Sequence, residues 1–405
     1  MELSMNEAAV QRRERYFQTI GDVLEEESRR GSFALYAMGL LGEGERKSVE
    51  PMAARACPDP KRVDAMHQRL LHFAVDSKWS DRDVRRVAAQ YALEAMTKRE
   101  PVEAWIVDDT GFLKQGKHSV GVQRQYTGSA GKVANCQIGV SLSLATRTEH
   151  VPIDFELYLP EGWANDIARR QEARIPSEVR FKTKPQLALQ MIDRAVEDGM
   201  PAGIVLADSA YGSSSAFREH LRSLGLHYAV AVSAQTTVCL LDEKGRPREE
   251  VQSASDLAFS IQEAGGFRRC TWRKGTQKDL SARFALRRVN AAGVPKKEQE
   301  PLWLLIEWRE GEPEPASYFL ISLPGHRTKK QLIRLVMQRW RTERVYEDLK
   351  GELGLDHYEG RLFPGWHHHV SVALCCYAFI VAERVRHFPP SARRADEAYA
   401  QPLQA

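Results

Sequence analysis

Residues 339–361 read RWRTERVYEDLKGELGLDHYEGR. The opening of this stretch has the pattern of an amphipathic helix dense in arginine. At 3.6 residues per turn, Arg339, Glu343 and Lys350 fall within about 40° of one another on its surface. A carboxylate held on a face otherwise suited to phosphate needs a reason, and the rest of the chain is read for one.

Between His326 and Arg344 stand seven basic residues, Arg327, Lys329, Lys330, Arg334, Arg339, Arg341 and Arg344, against the single acid Glu343. A solvated helix face would account for such a run by itself. The formal net charge of the 405 residues is only +4, so a polyanion-binding face would have to be local. Hydrophobic content of 43% and charged content of 28% describe a globular chain, too long for one small core.

The six cysteines show no C-x-x-C pair or zinc spacing, which excludes a disulfide framework and a structural zinc site from the expectations. The N-terminus MELSMNEAAVQRR lacks the apolar core of a signal peptide, and a cytoplasmic location, nucleoid-associated when bound to DNA, is expected. The longest apolar run, VSVALCCYAFIVA, has 13 residues and reads as a buried core helix.

The first hundred residues read as a helical domain. FQTIGDVLEEE places Phe17, Ile20, Val23 and Leu24 on one stripe, and Ser80 caps a helix that repeats Val84, Val87, Ala88 and Tyr91. After Pro101 come four strand-like runs, AWIVDDTGF, VQRQYT, ANCQIGVSLSLAT and VPIDFELYL, the pattern of an antiparallel meander. A capping box from Thr183 to Gln186 opens the next helix, which leads into GIVLADSAYG. There, Ile204–Ala207 is apolar throughout, as a strand buried on both faces should be, and it ends in Asp208.

A helix from about Ser213, the strand HYAVAVS, an irregular β-rich insertion over 235–316 and the core strand SYFLIS follow. A second capping box, Thr328 to Gln331, then opens the arginine-rich helix. The expected divisions are a helical, DNA-binding domain over 1–100, a core in two parts over 101–234 and 317–388, and a flexible tail over 389–405.

Asp108 and Asp109 end the first strand, Asp208 ends the buried one, and Glu343 lies on the late helix. If the two strands are neighbours, their acidic ends meet at one sheet edge and the helix supplies a third carboxylate. Such a cluster repels itself unless cations neutralise it, and oxygen donors without His or Cys select Mg²⁺ or Mn²⁺. Two ions roughly 4 Å apart clamp a phosphodiester, one activating the nucleophile and the other the leaving oxygen. Arg339 and Lys350 would then hold phosphates beside the metal. Taken singly, each Asp also fits a turn or cap, and Glu343 an i,i+4 partner of Arg339.

These motifs together resemble DDE transposases of bacterial insertion sequences. RWRTERVYEDLK is similar to their Y-x-x-R-x-x-x-E-x-x-x-x-x-x-K motif, with Arg339, Glu343 and Lys350 in place and Val336 at the tyrosine position. DDTGFLKQGKHSVGVQRQYTGSAGK, LYLPEGWA, ADSAYG and GLDHYEGR resemble the insertion sequence 701 branch, related to the insertion sequence 4 group. The likeness runs from about Tyr36 to about Ala382.

The resemblance implies an α/β fold with a ribonuclease-H-like core: a mixed sheet flanked by helices and interrupted before its last acidic helix. It implies cleavage of transposon ends and strand transfer into target DNA, with a dimer in the synaptic complex. It further implies catalytic, metal-binding Asp108, Asp208 and Glu343, with Asp109 as an alternative first ligand, since only one of two adjacent strand residues faces the metal. Glu347 is a rival third ligand that the motif spacing disfavours.

Arg339, Lys350, Arg341, Arg344, Lys117 and Arg124 are the expected DNA contacts, with His118 and Tyr126 beside them. Trp163 fits core packing better than stacking on a flipped base. His367, His368 and His369 diverge by 100° per residue and read as polar residues at a helix start, not a metal site. A catalytically silent DNA-binding descendant and a structure-selective nuclease of the same fold are the alternatives.

Overall fold

The structure, a computed structural model, describes residues 7–273, 280–292, 300–324 and 327–387. The tail expected over 389–405 lies outside the described residues.

Five helices open the chain: α1 (Glu7–Leu24), α2 (Glu27–Leu41), α3 (Val49–Ala56), α4 (Val63–Val75) and α5 (Asp81–Thr97). Ser80 caps α5 by accepting from the Asp83 amide, as its sequence suggests. Strands β1 (Ala104–Leu113), β2 (Gln123–Thr127), β3 (Lys132–Ala145) and β4 (His150–Tyr158) follow. Next come α6 (Glu161–Ala164), α7 (Ile167–Glu172), α8 (Lys184–Glu197), β5 (Ile204–Ala207), α9 (Ser209–Gly212), α10 (Ser215–Ser223) and β6 (Tyr228–Val232).

The stretch expected as an insertion holds β7 (Thr237–Leu241), β8 (Pro247–Ser253), α11 (Ala254–Glu263), β9 (Arg268–Arg273), β10 (Leu280–Ala291) and β11 (Leu302–Trp308). The chain closes with β12 (Ser317–Ile321), α12 (Lys329–Val336), α13 (Trp340–Gly351) and α14 (Phe363–His387). Both expected capping boxes, Thr183 with Gln186 and Thr328 with Gln331, are formed in full.

All the described strands belong to one mixed sheet. Its main path runs β2-β3-β1-β5-β6-β12-β11-β10-β7-β8, with β4 paired to β3 and β9 to β10. The β-rich stretch therefore prolongs the central sheet through the antiparallel β6–β12 pair instead of forming a separate body. It also contains α11, a helix the reading of that stretch did not foresee.

Alternation along β1 sends its side chains into two cores. Trp105 and Val107 join the larger one, which includes the N-terminal helices, α8 and α14. Ala104 and Ile106 join a smaller one under α12, with Leu206, Ala229, Leu332, Ile333 and Val336. Val336, at the position where the transposase motif carries tyrosine, is thus a packing residue, 4% exposed.

The N-terminal helices do not stand apart, because α14 packs on α5, α2 and α4 and on β4. Tyr16 donates to the Cys375 carbonyl at 2.9 Å, and Arg12 bridges to Glu383. Helix α14 is long and apolar enough to cross a membrane by length and composition. However, 83% of its most apolar window is buried inside the protein, which makes it a core helix. Under it lies an ionic network in which Asp154 of β4 meets Arg85 of α5 at 3.1 Å and Arg194 of α8 at 2.6 Å. Removing one partner of such a buried pair strands a charge, so this network fixes how α5 and α8 seat on β4.

Candidate active site

The site begins with strand register. β1 and β5 are parallel neighbours, with Ala104 opposite Ile204, Trp105 opposite Val205 and Ile106 opposite Leu206. Continuing that register by two residues sets Asp108 level with Asp208. β5 stops at Ala207 because Asp208 turns the chain into α9, its Oδ1 accepting from the Ala210 amide at 2.9 Å.

Helix α13 supplies the remaining groups. A 3₁₀ turn at Met337–Arg339 joins α12 to α13 and brings Arg339 over β1, where its Nη1 donates to Asp108 Oδ2 at 2.9 Å. Four residues on, Glu343 is exposed, and its charge acts on Arg339 together with those of Asp108 and Asp208. Burial lowers the Arg339 pKa, but the three carboxylates outweigh it and hold the guanidinium above its ordinary value, Asp108 most strongly. Asp108 thus contacts a half-buried guanidinium that also feels the charges of Asp208 and Glu343.

Asp108 is the buried one of the three. Burial pushes its carboxyl up to about 7, with Arg339 opposing and Asp208 and Asp109 adding repulsion. Asp109 points to the opposite face of the sheet, where its Oδ2 accepts from Lys184 at 3.1 Å and from the Tyr211 hydroxyl at 3.0 Å. Of the two adjacent acids, Asp108 is the one beside Arg339. Glu347, the rival on α13, is exposed and pairs with Arg344 at 3.2 Å.

Several cations expected on phosphate are instead spent inside the protein. Lys350 Nζ donates to Thr110 Oγ1 at 2.9 Å, the Gly111 carbonyl at 2.7 Å and Ser129 Oγ at 3.2 Å, and burial lowers its pKa. Arg341 is buried, its guanidinium donating to the carbonyls of Thr146 and Arg147. Arg344 is half-buried and pairs with Glu347 and Asp348. The reasons differ: Lys350 meets backbone and hydroxyl atoms of β1 and its neighbouring turn, Arg341 meets the turn that follows β3, and Arg344 is held by acids of its own helix. Lys117 and Arg124, by contrast, are exposed, and Tyr126 is 65% exposed on β2.

Sequence reasoning missed the side chains that orient the acids. Tyr346 and Ser141 share a 2.6 Å hydrogen bond on the strand neighbour of Asp108, and Tyr211 and Lys184 hold Asp109. The signal was available for Tyr346, since 339, 343, 346 and 350 recur at the helical spacings of four, three and four. Lys184 carried none, as nothing in the sequence links the start of α8 to Asp109, which with Asp108 lies in the middle of β1 and not at its end as expected.

The smaller expectations divide. Trp163 is core, its indole donating to the Val122 carbonyl at 2.8 Å while Arg169 stacks 3.7 Å from its ring. The three histidines do not mark a helix start; all are buried inside α14. His367 faces Asp81, His368 contacts the carbonyls of Ala74 and Trp79, and His369 contacts the Tyr36 hydroxyl and the Gly354 carbonyl.

Asp108, Asp208 and Glu343 offer only oxygen donors, which suit a hard divalent ion. Among the described residues no three acid, His or Cys side chains already converge as a finished ligand set. Asp208 caps α9 and Asp108 is bound to Arg339, so ligation would require both to exchange a protein partner for the ion. Buried Asp108, half-buried Asp208 and exposed Glu343 leave more negative than positive charge near Arg339, a balance that a divalent cation would redress.

Comparison with known proteins follows the same line. Residues 17–279 match the family described as "DDE superfamily endonuclease", and residues 182–379 match "Transposase DDE domain". A curated protein of Microchaete diplosiphon, "Probable transposase for insertion sequence element IS701", is 28% identical over 222 residues, or 55% of this chain and 52% of that protein. The chain therefore spans about half the length of that relative. Among solved structures, a cryo-EM piggyBac transposase synaptic complex with hairpin DNA aligns over 93% of this chain and 70% of that chain, at 9% identity and a TM-score of 0.42.

Proposed function

The chain belongs to the DDE superfamily endonucleases, whose match covers 263 of its 405 residues, and from that premise we propose that it is a DNA transposase of the insertion sequence 701 type. It hydrolyses a phosphodiester at each transposon end and transfers the exposed 3′-hydroxyl to target DNA without a covalent protein intermediate. One observation carries the reading: the parallel β1–β5 register that levels Asp108 with Asp208, with Glu343 joining them around Arg339.

The core is ribonuclease-H-like. The order β4-β3-β1-β5-β6, antiparallel up to β1 and parallel beyond it, supports that assignment. Asp108, Asp208 and Glu343 hold two divalent ions, Mg²⁺ or Mn²⁺, with Asp109 the alternative first ligand. When bound, such ions supply Lewis-acid stabilisation of the attacking and leaving oxygens. Arg339 orients Asp108 and balances the acids, Tyr346 and Ser141 fix the neighbouring strand, and exposed Lys117 and Arg124 take backbone phosphates near the acidic edge. Synapsis of two ends makes the working form a dimer on DNA in the cytoplasm.

The test is a duplex carrying the element's terminal repeat, incubated with Mg²⁺ and scored for nicking at the end. Asp208→Asn and Glu343→Gln should each lower cleavage by at least 10²-fold while retaining wild-type melting. Cleavage by both variants at the wild-type rate refutes the assignment. Binding without cleavage under any divalent ion selects the silent DNA-binding alternative. Cutting of flapped or branched DNA with no preference for the repeat selects the structure-selective nuclease.

A further inference from the structure

The cationic run between His326 and Arg344 is only partly accounted for by the acidic site. Arg339 is on Asp108, Arg341 on backbone carbonyls, Arg344 on Glu347 and Asp348, and Lys329 on the Phe284 carbonyl. Arg327, Lys330 and Arg334 are exposed and form no ion pair with another described residue.

Two of them, Arg327 and Arg334, line a cavity of about 750 Å³. Its other walls include Trp272 of β9, Trp340 of α13, Arg147 and the sheet residues Glu103, Ile204 and His227. Those last three lie where β1, β5 and β6 begin, so the cavity opens at the sheet edge opposite the carboxylates. From Ala104 to Asp108 is four strand residues, roughly 13 Å.

The lining is unbalanced in charge. Four arginines, Arg147, Arg327, Arg334 and Arg341, face one carboxylate, Glu103, which already accepts from Gln338 at 3.3 Å. Arg147 is bridged to Glu100 at 3.0 Å and Arg341 is committed to carbonyls, which leaves Arg327 and Arg334 as the available charges. Two partly buried indoles, Trp272 packed edge-on against the Phe284 ring at 5.6 Å, share the lining with two exposed guanidiniums. That combination binds unpaired nucleic acid, because every base offers a ring face and every linkage a charge. The volume lies within the range of ligand clefts, which admits a few nucleotides of one strand and not a duplex.

We propose that this groove holds a short unpaired stretch of DNA strand, its phosphates on Arg327 and Arg334 and its bases against Trp272 and Trp340, at the edge of the sheet opposite the acids. The inference rests on the transposase reading and adds to it a preferred form of DNA: an end with an unpaired extension is held better than the same end fully paired.

The experiment measures fluorescence anisotropy of the full chain with two labelled substrates, a fully paired terminal-repeat duplex and the same duplex with a short single-stranded extension, across a salt series. Wild type should bind the extended form about tenfold more tightly, the effect of one or two stacked bases. The Arg327→Ala/Arg334→Ala variant should lose most of that advantage. Its salt slope on the extended form should flatten by about 1.4, at ~0.7 per single-strand phosphate contact, and more than on the paired form. Trp272→Leu should reduce the advantage with the slope unchanged.

Both arginines are exposed, so unaltered melting of the double variant verifies its fold. Equal wild-type binding of the two substrates overturns the proposal, as does a double variant that keeps the advantage or loses affinity equally for both. If the paired end is cut normally while the extension adds nothing, only this inference falls. If wild type neither binds nor cuts either substrate, the transposase reading falls with it.

Discussion

Replacing Lys350 with methionine separates two roles that the sequence motif cannot distinguish. On a phosphate-binding face, Lys350→Met would remove one electrostatic contact to DNA, flattening the salt dependence of duplex binding by about 0.9 with little change in stability. In the structure the half-buried ammonium lies against β1 and donates to Thr110, Gly111 and Ser129, with the Phe112 ring 5.3 Å away. Hydrogen bonds from a charged group contribute about 1.5–3 kcal/mol each. Two of the three are short, and the methionine escapes the desolvation that lowers the lysine pKa, so the net loss is about 2 kcal/mol. The expected result is a urea midpoint lowered by that free energy at unchanged slope, with a wild-type salt dependence for DNA. Wild-type stability combined with a flattened salt slope would refute the internal-tether argument.

Further outcomes follow from single contacts. Gly212→Ala should destabilise by about 2–3 kcal/mol, because a Cβ there would stand 2.1 Å from the Ala231 carbonyl oxygen; Gly116→Ala, with nothing within 4 Å, is its thermal-melt control. Tyr346→Phe should cost about 1 kcal/mol through loss of the bond to Ser141, read from urea unfolding. His368 and His369 are each held neutral by burial, with pKa lowered to about 4 from 6.5. The unfolded chain therefore binds more protons between those values, and stability present above pH 6.5 is lost as pH falls toward 4. At pH 5 the loss is roughly 2 kcal/mol per histidine relative to pH 7, and a urea midpoint that does not change between those pH values would contradict it.

Local chemistry was the legible part of this chain. Ser80, Thr183 and Thr328 announce helix starts because a cap is decided within four residues, and the apolar run Ile204–Ala207 announces a central strand because burial on both faces leaves no room for alternation. Direction was not legible. The spacing of 339, 343 and 350 establishes a stripe, but whether that stripe faces solvent or a strand depends on where α13 docks, which is a long-range matter. Arg341 and Lys350 show this: backbone carbonyls lie in reach of their polar heads, which hydrogen-bond to them. The histidines of α14 escaped similarly, since hydropathy scores them polar while their partners on α4, α5 and the Gly354 turn lie far away in sequence.

The carboxylate on the cationic face now has an account in energies. Bringing Asp108 under α13 takes it out of water, and a pKa moved from 3.8 to about 7 means that its ionised form is disfavoured by roughly 4 kcal/mol. That net figure already includes the repulsion of Asp208 and Asp109 and the opposing 2.9 Å contact of Arg339, which offsets only part of the effect of burial. Glu343 stays exposed one helical turn away, contributing negative charge without paying for burial. A site at this balance is incompletely neutralised by its own residues. One guanidinium, carried on a 3₁₀ turn, meets Asp108 directly and feels the charges of Asp208 and Glu343, which leaves negative charge in excess. That excess is the physical basis for expecting divalent ions at this edge of the sheet, and it explains why the arginine of the motif lies among the acids instead of beside them on the surface.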